Sequence, residues 1–478
     1  MHEINFNADW TFWNALFPDK PAVVHLPHDA MQTEQRIKGL TGGCALGFYP
    51  GGRYVYEKHF TAQPSWIGGR ILLEFDGVYM DSSVFLNGEK VGGEVYGYSR
   101  FTVDLSDHLR NGENVLRVEV DNTRTPNSRW YSGSGIFREV RLFVGEPVCI
   151  RYGATRIETL SVSPAKIRVE TEVEGPADGC ELTLTVRRLG ILPKEHYGYR
   201  TQRDYVCITE AAPVVCSETI PVEGGCIDQT LVVEGAELWS ADHPALYALE
   251  LALSGGSGVR DRETVRFGIR KLSWAAEDGF CVNGKAVKLR GGCIHHDNGL
   301  LGAGEHRKAA FRRISLLKEV GFNAVRMSHH PMSRALLEAC DELGMYVYEE
   351  SFDTWESSKN DYDFSMYFSR LWTKVLTGMV QKDFNHPSVI LYGIGNEITD
   401  LTTERGRLLQ KRMVEHMHAL DCTRPVTNAC IGSLGFSGAK SLGKEKLAAP
   451  KSPEDQVDPY RRQGDGRARG SLLINIIV

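Results

Sequence analysis

Short apolar runs separated by Gly, Asn, Asp and Pro fill the chain from residue 1 to about 147, as in Arg70-Ile-Leu-Leu-Glu-Phe-Asp-Gly-Val and Asp81-Ser-Ser-Val-Phe-Leu-Asn-Gly-Glu-Lys. The Asn87-Gly88 pair between two such runs predicts a tight hairpin, because both residues tolerate the positive φ of a type I′ turn. This region reads as an antiparallel β-sandwich. From 148 to 272 strict alternation appears in Lys166-Ile-Arg-Val-Glu-Thr-Glu-Val and Glu181-Leu-Thr-Leu-Thr-Val-Arg, so that every second side chain faces a core. The size suits an immunoglobulin-like sandwich, with a polar loop insertion at Pro193 to Arg203.

Beyond 273 the period changes. Phe311, Ile314, Leu317 and Val320 recur at helical spacing, Gly321 follows as a C-cap, and the apolar run Asn323-Ala-Val-Arg comes next. The same order of helix, then strand, returns in Leu336, Leu337, Cys340 and Leu343 before Met345-Tyr-Val-Tyr, and again in a long helix near 365–384 before Val389-Ile-Leu-Tyr-Gly. Helices alternating with buried strands imply parallel βαβ units, in a barrel or a doubly wound sheet. No Gly-rich fingerprint follows a first strand, which disfavours a nucleotide-binding doubly wound sheet.

Composition narrows the class. With 42% hydrophobic and 24% charged residues the chain is globular, and its 478 residues suggest about three domains. A net charge of −6 offers no basic footprint for nucleic acid. The start lacks a basic segment followed by an apolar run, and no stretch approaches the roughly 18 apolar residues of a membrane span, so a cytoplasmic protein without membrane contact is expected. Eleven cysteines without a Cys-x-x-Cys pair argue for reduced thiols rather than a disulfide framework or zinc site.

Polar groups then gather at four successive strand ends: Arg290-Gly-Gly-Cys-Ile-His295-His296-Asp297, Arg326-Met-Ser-His329-His330-Pro331, Glu349-Glu350-Ser-Phe-Asp353-Thr-Trp355 and Ile394-Gly-Asn396-Glu397. In a barrel these ends converge on one mouth, where active sites sit. Taken singly, Glu397 could be a carboxylate at a helix N-terminus and a lone His a satisfied structural residue. Four clusters in register point instead to one site.

The strings Phe322-Asn-Ala-Val-Arg-Met-Ser-His-His-Pro331 and Gly395-Asn-Glu397 resemble the two signature regions of glycoside hydrolase family 2, the family of β-galactosidases and β-glucuronidases. His25-Leu-Pro-His-Asp29, Arg129-Trp-Tyr-Ser-Gly-Ser-Gly-Ile-Phe-Arg138, Leu238-Trp-Ser, Pro244-Ala-Leu-Tyr247 and Arg266-Phe-Gly-Ile-Arg270 extend the likeness over roughly residues 8–430. The resemblance implies a sugar-binding-like, jelly-roll-like sandwich over 1–147, an immunoglobulin-like sandwich over 148–272 and a (β/α)₈ TIM barrel from 273 to 435. It further implies exo-acting hydrolysis of terminal β-glycosides with retention, β-galactosidase-like. Glu397 would be the general acid/base, a role for a carboxyl group that keeps its proton near neutral pH. Asn396 would bind the 2-hydroxyl and His295 and His329 other ring hydroxyls. Arg326 would lie beneath the site and hold the nucleophile ionised, while Asp353 and Trp355 would contact substrate from the third-strand loop. The loop from Arg129 to Gly135 would reach the mouth from the first domain.

The likeness stops short. Some family members bind magnesium through Glu-x-His after the third strand, where this chain reads Phe352-Asp-Thr-Trp355, so neither metal nor cofactor is expected. Retention needs a second carboxylate about 5–5.5 Å from the first, which the family places at the end of a seventh strand. Five strands are countable, ending at Arg424-Pro-Val-Thr-Asn-Ala-Cys-Ile431, and residues 432–478 are too few for three more βα units of roughly 30 residues each. The Gly-, Lys- and Arg-rich stretch from 436 reads as a disordered or frameshifted tail, with Leu472-Leu-Ile-Asn-Ile-Ile-Val478 strand-like but isolated. Glu350 is a weak substitute nucleophile. An incomplete barrel would expose a strand edge, so pairing with another chain, including a homo-oligomer, is expected, and a catalytically inactive carbohydrate-binding fragment is the alternative to an enzyme.

Overall fold

The computed structural model describes residues 1–192, 209–256, 258–275, 277–430 and 474–477. The loop insertion at 193–203 and the tail from 436, Ile474–Ile477 excepted, lie outside the described residues.

Two antiparallel sheets of four and six strands form the first sandwich. Alternation decides which side chains point inward: in Gly112–Asp121, Leu116, Val118 and Val120 are buried while Arg117 is exposed. Opposite them lie Trp10, Tyr54, Tyr56, Leu73 and Phe75. The hairpin is as the sequence predicts: Ser82–Leu86 and Glu89–Glu94 pair across Asn87 (φ 52°) and Gly88 (φ 87°). The second sandwich opposes a sheet built on Ala165–Glu174 to one built on Glu181–Gly190 and Leu246–Gly255. Ile167, Val169, Leu182, Leu184 and Val186 meet in its interior.

The third unit is a parallel sheet, with strands β1 (Gly291–Ile294), β2 (Ala324–Met327), β3 (Tyr346–Glu350), β4 (Val389–Asn396), β5 (Val426–Cys430) and β6 (Ile474–Ile477) paired in that order. Helices α1 (Arg307–Glu319), α2 (Arg334–Leu343), α3 (Ser365–Asp383) and α4 (Glu404–Leu420) connect the first five. β3 and β4 are buried at every position, as strands covered on both faces must be. Two expectations change. The segment read as an isolated strand supplies β6, paired in parallel with β5, because backbone pairing needs no family motif. Val320, placed on the buried stripe of α1 by spacing, is 72% exposed, because the helix ends there and the chain leaves its axis, while Phe311 and Ile314 are buried. α2 has firm ends: the Ser333 hydroxyl accepts from the Leu336 amide, and Gly344 closes the helix at φ 74°, where a Cβ would lie 2.3 Å from the Ala241 carbonyl oxygen. Among the described residues β1 has a strand neighbour on one side only. No described helix is long and apolar enough to cross a membrane.

Buried polar contacts fix the first sandwich on the barrel. The guanidinium of Arg138, fully buried, donates to Glu305 before α1 and to the carbonyls of Asp76, Tyr98 and Pro331. Asp29 accepts from the amides of Met31, Ser134 and Ala303 and from the Tyr131 hydroxyl, so one carboxylate joins two sandwich loops to a barrel loop. Arg334 on α2 reaches back to Glu74 on the sandwich strand Arg70–Phe75. Removing one partner of such a buried pair strands the other charge. Arg138→Met is therefore expected to lower the stability of the sandwich–barrel unit by about 3–5 kcal/mol in urea unfolding. The double variant with Glu305→Gln should recover part of that loss, and full stability of the single variant would contradict the assignment.

Candidate active site

Strand β4 delivers the two residues on which the site is built. Asn396 ends the strand, its amide donating to the Phe352 carbonyl at 3.0 Å, and Glu397 turns out of it with φ 47°, its amide donating to the Ala429 carbonyl at 2.9 Å. That left-handed backbone, uncommon for a residue other than glycine, marks a position whose direction is set by its surroundings. The side chain of Glu397 stands at the mouth, 42% exposed. It lies just before a short 3-10 helix at Thr399–Thr402 and not within a helical turn, and α4 starts at Glu404.

Arg129, carried in from the first sandwich, spans two acids. Its Nε and Nη2 bind the Asp353 carboxylate at 2.9 and 2.6 Å, and its Nη1 binds Glu397 Oε2 at 3.0 Å. Asp353 also accepts from Asn396 Nδ2 at 2.9 Å and Lys359 Nζ at 3.0 Å. Burial pushes the Asp353 carboxyl up, but the hydrogen bonds from Arg129 and Asn396 and the charge of Lys359 outweigh it and hold the group at about 2. Lys359 Nζ further donates to the Asn396 carbonyl at 2.7 Å and stands 3.9 Å from Glu397.

A second layer lies beneath. Arg326 on β2 donates from Nη2 to Glu350 at 2.7 Å and to the Asn396 side-chain oxygen at 2.8 Å. Asn396 is thereby held with its amide oxygen toward Arg326 and its NH₂ toward Asp353, which fixes the orientation of the group. Glu350, at 0% exposure, also meets His329 Nδ1 at 2.7 Å. Both of its oxygens are thus engaged below the mouth. His295 is half-buried, and burial, followed by the neighbouring His329, pushes its imidazole toward the neutral form. Its ring lies 5.0 Å from that of Trp130, which also approaches His329 at 5.8 Å and is anchored by Nε1 to the Tyr98 hydroxyl at 2.9 Å. His296 and His330 lie deeper, in contact with each other at 3.2 Å, and burial lowers both.

The structure thus brings Asn396, Glu397, Arg326, His329, His295 and Asp353 to one strand-end mouth. Trp355 is not with them. It is fully buried and donates from Nε1 to the Ile394 carbonyl at 2.7 Å, packed among Phe368 and Ile398. The third-strand loop turns its indole into the core, so the expectation of substrate contact is corrected to a structural role. Three contributors escaped residue-level reading: Arg129, Trp130 and Lys359. The first two stood in a string whose loop was expected at the mouth, but nothing local tied them to Glu397. Lys359, before α3, carries no periodic or motif signal. Among the described residues no group of three or more His, Cys, Asp or Glu is arranged to hold a metal ion.

Comparison with known proteins adds the family. The model described as "Glycosyl hydrolases family 2, sugar binding domain" matches residues 49–146, "Glycosyl hydrolases family 2" matches 155–270, and "Glycosyl hydrolases family 2, TIM barrel domain" matches 275–435. A β-galactosidase from Bacteroides ovatus is 35% identical over 473 residues, an alignment covering 89% of this chain and 54% of that protein. A crystal structure of a glycosyl hydrolase family 2 member from Bacteroides cellulosilyticus superposes with a TM-score of 0.80 at 34% identity, covering 90% of this chain and 56% of that one. A β-glycosidase from Bacteroides vulgatus gives 0.79 at 28%, covering 91% and 56%. The chain therefore spans about half the length of these relatives. Three consecutive domain matches, in the order in which the fold stacks two sandwiches against a parallel barrel sheet, place this chain in glycosyl hydrolase family 2.

Proposed function

We propose that this mouth binds the terminal sugar of a β-glycoside, a β-galactoside first, and that Glu397 is the general acid/base of its hydrolysis with retention. The observation that carries the reading is the division of labour among the strand-end carboxylates. Glu350 is buried under Arg326 and His329, Asp353 is neutralised by Arg129 and Lys359, and Glu397 is left accessible at the mouth. A general acid must reach the glycosidic oxygen within hydrogen-bond distance, and Glu397 is the one of these three with that access. Asn396, oriented from both sides, presents its NH₂ where a 2-hydroxyl would bind, and the Trp130 face beside His295 offers an apolar wall for a sugar ring. The galactoside preference rests on the name of the Bacteroides ovatus relative. Retention calls for a second carboxylate about 5–5.5 Å away. Neither buried acid serves, and by the family pattern that group belongs at the end of a seventh strand.

The 478-residue chain is expected to bind a β-galactoside in calorimetry, and Glu397→Gln to retain that binding; in a form of the protein that also carries the second carboxylate, the same change is expected to lower turnover of an aryl β-galactoside by about 10²–10⁴-fold. Equal turnover by the variant would overturn the assignment of Glu397, and absence of galactoside binding by the parent would overturn the choice of sugar.

A second expectation concerns pH. The folded Asp353 group sits at about 2 against an ordinary 3.8, so its ionised form stabilises the fold above pH 4 and that contribution is lost as pH falls through about 2. Asp353→Asn should therefore cost about 2 kcal/mol at pH 7, and the gap between variant and parent should shrink by roughly half at pH 3. Urea midpoints across this range measure it, and a gap independent of pH would contradict the ion-pair account.

A further inference from the structure

At the opposite end of β4 from Glu397, two arginines are buried side by side and one of them has no acid in contact. Arg270 closes the second sandwich and Arg424 precedes β5, and their guanidinium groups converge on the carbonyl of Val389. Arg270 Nη2 lies 2.7 Å from that oxygen and Arg424 Nε 2.8 Å. Arg424 has an acid partner in Asp421 at 2.6 Å. Arg270 has none: its other donor bond goes to the Pro387 carbonyl, and no described carboxylate lies within 4 Å of it. Asp421 is spent, since its oxygens also accept from Thr423 and the Tyr392 hydroxyl. Asp341, the next acid, is engaged by His386 and the Ser388 amide.

Arg270 therefore has no acid in contact, since Asp421 and Asp341 act on it only from a distance while engaged elsewhere, and burial makes such a charge costly. Burial, and then the neighbouring Arg424, push Arg270 down to about 9, still charged at neutral pH. A cavity of about 240 Å³ opens beside them, between the second sandwich and the base of the barrel. Arg270, Lys271 and Arg424 line it against one acid, Glu158; Arg424 and the Asn385 and Thr423 side chains are already engaged by protein partners, which leaves Arg270 and Lys271 to meet a ligand. Its volume falls below the roughly 300–1,000 Å³ of sites for larger organic ligands, which suits a single small ion. Guanidinium groups match tetrahedral oxyanions in both charge and donor geometry.

We propose that this cavity is a binding site for a free inorganic oxyanion, phosphate or sulfate, which neutralises Arg270 and locks the second sandwich to the base of the barrel. The site is independent of the catalytic reading, because it lies at the N-terminal ends of the strands, a full strand length from the mouth.

The test titrates the 478-residue chain with sodium phosphate and sodium sulfate in calorimetry, with sodium chloride at matched ionic strength as the reference, and follows Tm in parallel. Expected is one saturable site and a Tm that rises with the logarithm of oxyanion concentration. Arg270→Met should abolish the site. Because that change also removes two carbonyl contacts and risks the fold, Lys271→Glu, at an exposed position of the lining, provides the second variant and should weaken binding at least fivefold. Absence of saturable heat, a Tm that merely rises in proportion to salt as excluded kosmotropes produce, or unchanged affinity in Lys271→Glu overturns the proposal.

Discussion

The placement of everything at the mouth depends on one buried contact, the Arg138 guanidinium that enters the barrel from the first sandwich. An arginine at 0% exposure is tolerable only if its charge and all its donors are answered, and here Glu305 supplies the charge and three carbonyls the acceptors. Those carbonyls come from two sandwich segments and from Pro331 after β2, so satisfying one side chain fixes the sandwich against the barrel in translation and rotation. The loop that ends at Arg138 begins at Arg129. Holding its end rigidly is what lets a residue from another domain reach within 3.0 Å of Glu397. Asp29 does the same for the middle of the loop, accepting from Tyr131 and Ser134 on one side and Ala303 on the other.

The site follows from where polar groups are affordable. β3 and β4 are buried on both faces along their length, so the strands themselves must be apolar, and chemistry is confined to their ends. There the side chains form an interlocked set, not a list of independent ligands. Arg326 positions Asn396, Asn396 binds Asp353, Asp353 holds Arg129, and Arg129 reaches Glu397. Below the mouth Glu350 has Arg326, and beside it Asp353 has Arg129 and Lys359, which is the usual condition for a carboxylate withdrawn from solvent.

Much of this was legible in the sequence because it is local. Alternation in Lys166 to Val173, the Asn87-Gly88 turn and the buried runs before Asn396 each encode a backbone state that nearby residues suffice to specify. Strand ends could be located from those runs, and with them His295, Arg326, His329 and Glu397. What could not be read was the direction of side chains in loops. Trp355 stands two residues from Asp353, yet one turns inward to the Ile394 carbonyl and stacks on Phe368 while the other faces the mouth, a choice set by tertiary packing rather than by composition. The partnership of Arg129 with Asp353 and Glu397 spans more than 220 positions of sequence, and no spacing rule reaches that far.

The contact between Arg129 and Glu397 also bears on how such a site could turn over. A group that gives a proton to a leaving oxygen and later takes one from water must exchange partners twice in each cycle. Two of the three Arg129 donors in use are committed to Asp353, in a bidentate geometry that keeps the guanidinium in place when the third is released. On the proposed reading Glu397 would leave Nη1 for a substrate oxygen and return without any movement of the arginine. Lys359, 3.9 Å away and bonded to the carbonyl of Asn396, remains as a second cation through the exchange. The arrangement lets one carboxylate change its partners while the frame around it, anchored in two domains, stays still.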